Sequence, residues 1–503
     1  MPNPLYDALI APHVESDAIF LDVPEAEALS YRVFIALAAQ YAHVVCALGL
    51  NPGDRLAAQV PKSPEALALY VACVQSGVVF LPLNTAYTAS EIGYFLEDSS
   101  AQAFICDPAK QEPYAPLAAE HGATLLTLGA SGDGSLPAHA SEMADQFPTA
   151  DRAADDLAAL LYTSGTTGRS KGAMLTHENL LSNAQALAEA WAFSEHDRLI
   201  HALPIFHTHG LFVATNIVLL TGGTMIFLPK FDGDAILDAL PNATTMMGVP
   251  TFYTRLLADP HLTPERAASM RLFISGSAPL LEETHREFEA RTGHRILERY
   301  GMTETNMNTT NPYDGERRAG TVGFALPGVD LKITQSESGE ALAQGEIGQI
   351  EVRGPNVFRG YWNMPEKTAE ELRDDGFFIT GDLGRIDDEG YLHIVGRNKD
   401  LIISGGYNIY PKEIELVLDT HETVVESAVI GIPDADFGEA VLAVIVARTD
   451  TLDIEELRHA CQALARFKQP KHFAFVDDLP RNTMGKVQKN VLRERYKSGP
   501  DVR

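Results

Sequence analysis

Positive charge is scarce in this chain. Its 503 residues carry 39 Lys+Arg against 68 Asp+Glu, a formal net charge of −29. That balance argues against generic binding to nucleic acid or to an anionic membrane surface, which need a basic footprint. Cysteine is also rare: Cys46, Cys73, Cys106 and Cys461 lie far apart, with no C-x-x-C pair. The spacing argues against a disulfide framework or a structural zinc site and fits reduced thiols in a cytoplasmic setting. Long apolar runs are missing. Stretches such as 211–220 (LFVATNIVLL) are too short and too interrupted to span a bilayer. The opening MPNPLYDALIAPHVESD has no basic segment followed by an apolar one, so it does not read as a secretory signal.

What is present is an ordinary globular composition, 45% apolar and 21% charged, in a chain long enough for two or three domains. Ser30–Leu48 has apolar residues at helical spacing, and Gly49–Asp54 is a turn. A strand follows at Arg55–Val60, then a helix over Ser63–Gly77 and a strand at Val78–Leu83. The alternation continues: strand 158–163, helix 177–192, strand 224–228, helix 250–258, strand 271–275. Strands alternating with helices predict an α/β fold with parallel or mixed sheets covered by helices. Residues 128–157, rich in Ala, Gly, Ser and Asp, read as a surface excursion. Residues 329–396 are dense in short strands and Gly or Asp-Gly turns, which predicts a small β-rich subdomain. After RNKD (397–400) the patterning is mixed α+β, so the boundary is placed at Lys399, with an N-terminal domain over 1–398 and a smaller one over 399–503.

Thr163–Gly172 reads TSGTTGRSKG, directly after the apolar strand Leu157–Tyr162. Small residues let the backbone approach an anion, hydroxyls and N–H groups donate to phosphate oxygens, and Lys171 adds charge. It is not a Walker A loop, because counting from Gly165 puts Ser at position 170 and Gly172 where Ser or Thr is required.

YTSGTTGRSKG resembles the phosphate loop of the adenylate-forming superfamily of acyl-CoA synthetases, adenylation domains and luciferases. The family's other motifs follow in order: SGSAP (275–279), ERYGMTE (298–304), TGDLG (380–384), GRNKDLIISGGYNIYPKEIE (396–415) and PRNTMGK (480–486). The resemblance spans essentially the whole chain and implies two half-reactions. A carboxylate attacks the ATP α-phosphate and releases pyrophosphate; a thiol then displaces AMP from the acyl-adenylate. It implies that Thr163, Ser164, Gly165, Thr166, Thr167, Gly168 and Lys171 hold the β- and γ-phosphates. Gly276, Ser277 and Ala278 border the adenine, with Glu298 beside Tyr300, which stacks on it. Thr303 contacts the α-phosphate, Glu304 binds Mg²⁺, and Asp382 and Arg397 hold the ribose. Lys486 matches the C-terminal catalytic lysine, whose task is to offset charge between attacking carboxylate and α-phosphate. Lys399 falls at the family's hinge, and Ser404, Gly405 and Gly406 at the pantetheine tunnel for coenzyme A. The lysine matching Lys486 is acetylated in some bacterial acyl-CoA synthetases, so the resemblance extends to a lysine acetyltransferase as partner.

The acyl pocket departs from many relatives. Arg299 stands where a small or apolar residue is frequent, and Arg255 follows GVPTFYT, another segment that borders the pocket in the family. Two guanidiniums suggest an acid with a second carboxylate, which arginine can hold bidentately. His207 and Met307 are expected to shape the same cavity. LPIFHTHGL, GVPTFYTRLL, SGSAPLL and ERYGMTETNMNT resemble most nearly the synthetases that activate malonate, with methylmalonate as a second acid. Other short-chain or dicarboxylate CoA ligases, and a stand-alone enzyme loading a carrier protein, stay open. Finally, the acidic average hides a basic segment: residues 466–497 hold nine basic residues against three acidic, around Lys486, where they could guide phosphates.

Overall fold

The computed structural model describes residues 2–24, 26–163, 170–336, 338–405, 407–434, 436–448, 454–482 and 485–497. Among them the strands form four sheets. The first has six strands, in spatial order Thr124–Thr127, Ala103–Cys106, Arg55–Gln59, Val79–Pro82, Leu157–Thr163 and Lys171–Thr176. All its pairings are parallel except the last. The second has nine, beginning in spatial order at residues 324, 306, 297, 272, 245, 198, 224, 19 and 29. Its six central strands are parallel and its edges antiparallel. The α/β reading of the sequence therefore holds.

Local signals explain the helices between the strands. Ser30 caps the helix Tyr31–Ala47 by accepting from the Val33 N–H, and Ser63 caps Pro64–Ser76 through the Ala66 N–H. Gly77, in the left-handed region at φ 74°, ends the second helix. Both bury nearly continuous apolar faces, and they join one core that runs under both large sheets.

Segment 128–157 is less peripheral than its composition suggests. It holds the helix Ser135–Ala140, and Leu136 and Ala140 are buried in the main core. Two apolar side chains at helical spacing outweigh the polar composition around them.

The third sheet is antiparallel: Asp330–Thr334, Gly348–Arg353, Phe378–Ile386 and Leu392–Arg397. The fourth begins at Ile402 and contains the long hairpin Val424–Asp434 with Gly438–Ala447. It has apolar clusters of its own, around Ile414 and Val429 on one face and Ile430 and Leu492 on the other. No described helix is long and apolar enough to cross a membrane.

Candidate active site

A cavity of about 530 Å³ collects residues that follow the carboxyl ends of parallel strands: Thr163, the 207–209 turn, Ser277 and Thr303–Glu304. Open α/β sheets place ligands at those ends. Arg397 and Lys399 close it from the third sheet and the segment after it, and Asn482 and Lys486 from the C-terminal region. Of the residues expected at the site, it brings together Thr163, Lys171, His207, Ser277, Arg299, Thr303, Glu304, Met307, Arg397, Lys399 and Lys486. The calls on Ser164, Gly165, Thr166, Thr167, Gly168 and Gly406 lie outside the described residues.

At one end stands a paired polar network. Segment 359–362 aligns along the strand Lys171–Thr176, with the Trp362 N–H donating to the Gly172 carbonyl at 2.7 Å and the Arg359 N–H to the Met174 carbonyl at 3.0 Å. This pairing sets Tyr361 beside Lys171, whose ammonium lies 4.0 Å from the ring centroid and 3.4 Å from Glu371 Oε1. The Tyr361 hydroxyl sits 2.7 Å from Glu371 Oε2 and 3.0 Å from Glu304 Oε1. Burial raises the Glu304 pKa. Burial also acts to raise Glu371, but the Tyr361 hydrogen bond and the neighbouring lysines outweigh it and leave that carboxyl below its ordinary range.

No cluster of three or more His, Cys, Asp or Glu side chains among the described residues could hold a metal ion. A hard cation that keeps waters and takes phosphate oxygens needs only one or two protein carboxylates. Glu304, buried and on the cavity wall, offers one, so the residues fit Mg²⁺ brought with a nucleotide.

Beside this network Asp382 is buried. It accepts from the Tyr300 hydroxyl at 2.6 Å and pairs with Arg397 Nε at 2.9 Å. Its attraction is the largest influence on Arg397, whose pKa it raises despite burial. The Asp382 carboxylate thus stands fixed next to the cavity wall formed by Thr380, Gly381 and Arg397.

The opposite end is differently made. Arg299 is 3% exposed, and its Nε and Nη2 have no hydrogen-bond partner. Burial without a counter-anion lowers its pKa to about 9, which leaves it cationic at neutral pH. The guanidinium lies directly over Gly276, where an added Cβ would come within 2.3 Å of its Cζ. Glycine at that position is thus explained by the arginine above it. Around it stand His207 and His209, each with an unpartnered Nε2. Burial pushes the His207 pKa down to about 4 and that of His209 well below its ordinary value, helped by Arg299. Both are neutral at pH 7, so Arg299 supplies the positive charge of this end. Ser277, held at φ 70°, keeps its hydroxyl 3.3 Å from His209 Nδ1.

Lys486 lines the same cavity, near Arg397 and Asp382. Burial, reinforced by repulsion from Arg397, lowers its pKa to about 8. The Lys486 N–H donates to Asn482 Oδ1 at 3.0 Å.

Some expected residues lie elsewhere. Arg255 is exposed and rests over the Phe231 ring at 5.5 Å, off the cavity wall. Its helix Pro250–Leu257 buries Phe252, Tyr253, Leu256 and Leu257, which turns position 255 outward. Glu298 precedes Arg299 on one strand, so it points to the opposite face; there it is buried with Oε1 4.0 Å from His285 Nδ1. Ala278, Ser404 and Gly405 do not line the cavity. Conversely, Tyr361, Glu371, His209 and Gln349 line it without having been singled out. The alternation His207–Thr208–His209 carried a signal for His209; no local pattern marks the others.

The sequence pattern of the AMP-binding enzyme family matches residues 11–362, and that of the AMP-binding enzyme C-terminal domain matches 413–486. MatB from Rhodopseudomonas palustris is 59% identical over 99% of both chains. Its ATP-bound crystal structure superposes with a TM-score of 0.97, its apo structure with 0.87. Identity and coverage are equal in the two comparisons, so the difference is one of conformation. A malonate–CoA ligase from Arabidopsis thaliana is 37% identical over 89% of this chain and 78% of its own. A feruloyl-CoA synthase from Amycolatopsis is also 37% identical, over 93% and 94%. Ordered motifs, fold and whole-length similarity agree, and the chain belongs to the AMP-binding enzyme family.

Proposed function

We propose that this chain is an AMP-forming malonate–CoA ligase, which converts malonate, ATP and CoA into malonyl-CoA, AMP and pyrophosphate. A malonate ligase and a feruloyl-CoA synthase are both 37% identical to it, but MatB, at 59% over 99% of both chains, stands much nearer, and similarity and site favour the same acid. The observation that carries the choice is Arg299, a buried cation with two unpartnered donors at the acyl end of the cavity. A buried guanidinium favours a carboxylate partner strongly. A monocarboxylate must spend its one carboxylate on the α-phosphate, whereas malonate has a second to place on Arg299. Methylmalonate differs by one methyl, worth about 1–3 kcal/mol in a pocket, and belongs to the same proposal.

In the first half-reaction a malonate oxygen attacks the α-phosphorus, and the bond to the bridging oxygen of pyrophosphate breaks. Arg299 orients the acid and Lys171 holds the outer phosphates. Asp382, Tyr300 and Arg397 fix the nucleoside, and Lys486 offsets charge between carboxylate and α-phosphate. Mg²⁺ at Glu304 would neutralise further phosphate charge. In the second, the CoA sulfur attacks the acyl carbonyl, the bond to AMP breaks and the thiol proton is lost to solvent.

Lys486 lines the cavity and Ser404–Gly405 do not, which supports separate arrangements for the two steps. The C-terminal domain, 399–503, therefore turns about Lys399 between steps, away from the domain over 1–398. The better fit to ATP-bound MatB supports the arrangement for the first step. Acetylation of Lys486 by a lysine acetyltransferase would remove its charge and stop that step. Four free cysteines, three of them buried, support the cytoplasm as its compartment.

The test is thioester formation with ATP, Mg²⁺ and CoA across acetate, propionate, malonate, methylmalonate and succinate, for the wild type and Arg299→Ala. Malonate is expected to lead, and the variant to lose about 30-fold or more of its malonate kcat/KM, a cost of at least about 2 kcal/mol, with ATP binding kept. Activity confined to the monocarboxylates, or an unchanged malonate rate in the variant, would overturn the diacid reading.

A further inference from the structure

Lys171, the cation assigned to the outer phosphates, already has a partner anion inside the cavity. Glu371 sits on the wall with Oε1 3.4 Å from Lys171 and 2.9 Å from Lys367. Its other oxygen accepts from Tyr361 at 2.7 Å. Two hundred residues separate Glu371 from Lys171, and the pairing of 359–362 with the strand Lys171–Thr176 brings them together. The contacts are graded: Tyr361 and Lys367 hold Glu371 closely, while the Lys171 contact is long for a charge-assisted hydrogen bond. Lys171 is the member of the group free to leave at small cost. Glu371 then keeps its contacts to Tyr361 and Lys367.

We propose that Glu371 is a positioning residue that acts as a resident anion for Lys171, exchanged for the outer phosphates when ATP enters and re-engaged when pyrophosphate leaves. A carboxylate fixed beside the phosphate subsite weakens ATP and pyrophosphate alike. Uniform weakening of this kind leaves the chemical barrier unchanged but hastens departure of a product that carries several negative charges. Tyr361 is what makes the exchange reversible. It keeps Glu371 in place when Lys171 leaves, and its ring, 4.0 Å from the ammonium in this arrangement, is the surface to which the lysine returns. The inference rests on the assignment of Lys171 to the phosphates.

Equilibrium binding of ATP and of pyrophosphate, measured by calorimetry with the full chain, tests it without requiring turnover. Glu371→Gln is expected to tighten both ligands about three- to tenfold. Lys171→Ala should weaken both, and adding Glu371→Gln to Lys171→Ala should change neither, because the effect runs through the lysine. Lys367→Gln, at a half-exposed helix position, should act in the opposite sense, leaving Glu371 freer to hold Lys171 and weakening both ligands. Unchanged or weaker binding in Glu371→Gln overturns the inference, as does an equal effect with and without Lys171. If Glu371→Gln does not fold, unchanged or tighter binding in Lys367→Gln overturns it. Unchanged binding in Lys171→Ala would instead remove the phosphate assignment beneath it.

Discussion

The two ends of the cavity treat charge in opposite ways. At the proposed phosphate end Lys171, Lys367, Glu371, Tyr361 and Glu304 form a connected group in which two cations stand with two carboxyls. At the acyl end Arg299 is buried with two donors unpaired, beside histidines that burial keeps neutral. A matched group costs little to maintain and binds its ligand by exchange; an unmatched buried cation is costly and is offset only when the ligand brings the missing anion. The first arrangement suits a nucleotide that must come and go in every cycle. The second suits discrimination, since an acid lacking the second carboxylate leaves the cation unsatisfied.

The contrast can be broken most severely at Lys486. Lys486→Ala removes the one cation that the proposed chemistry places on both reacting groups at once. Acyl-adenylate formation, followed by malonate-dependent ATP–pyrophosphate exchange, should fall by about 10²–10³-fold or more. Thioester formation from supplied malonyl-adenylate should stay largely intact. Equal loss in both assays would mean that Lys486 serves the fold or both steps, and the division of labour between domains would fail.

A narrower intervention acts on the acyl end alone. Gly276→Ala places a methyl group 2.3 Å from the present position of the Arg299 Cζ, so the guanidinium must move while the charge remains. Malonate kcat/KM is expected to drop about ten- to a hundredfold, and ATP affinity much less, because Lys171 and its partners are untouched. Activity with acetate or propionate should change much less. A uniform loss across all acids would show that the glycine is needed for backbone shape and not for the arginine.

These residues also show how much of the site could be read in advance. The phosphate loop, Thr303–Glu304 and Lys486 lie in contiguous motifs, and the helices Tyr31–Ala47 and Pro64–Ser76 follow from apolar spacing and serine caps. Arg299 was legible as a departure from an apolar position. Where the structure places residues otherwise, the reasons are physical. Arg255 is expected at the pocket only from its nearness to a motif, and the apolar residues of its own helix turn it outward. Glu298 is expected beside Tyr300 because both lie in one motif, but its carboxylate faces His285 and stays off the cavity wall. Tyr361 and Glu371 were not legible, because their contact with Lys171 depends on an edge pairing between distant segments. Lys367, four residues before Glu371, looks in sequence like any solvated helix pair.

The smallest expected effect is a pH dependence that separates the steps. Lys486 has its pKa lowered to about 8, chiefly by burial and then by Arg397. A lysine is charged below its pKa, so the free enzyme carries this cation at pH 7 and has largely lost it by pH 9. If adenylation needs the charge, kcat/KM for that half-reaction is level below pH 8 and falls about tenfold per unit well above it. Bound ATP and malonate surround the ammonium with negative charge and raise its pKa, so the bend in kcat should lie at higher pH than the bend in kcat/KM. Thioester formation from malonyl-adenylate should not show the bend, because in the proposed alternation Lys486 leaves the cavity for that step. Lys486→Arg stays charged throughout and should lose the bend at a lower plateau rate. If the bend persists in that variant, the titrating group lies elsewhere. Arg299, at about 9, is the next candidate, and its titration would appear in the dependence on malonate and leave that on ATP unchanged.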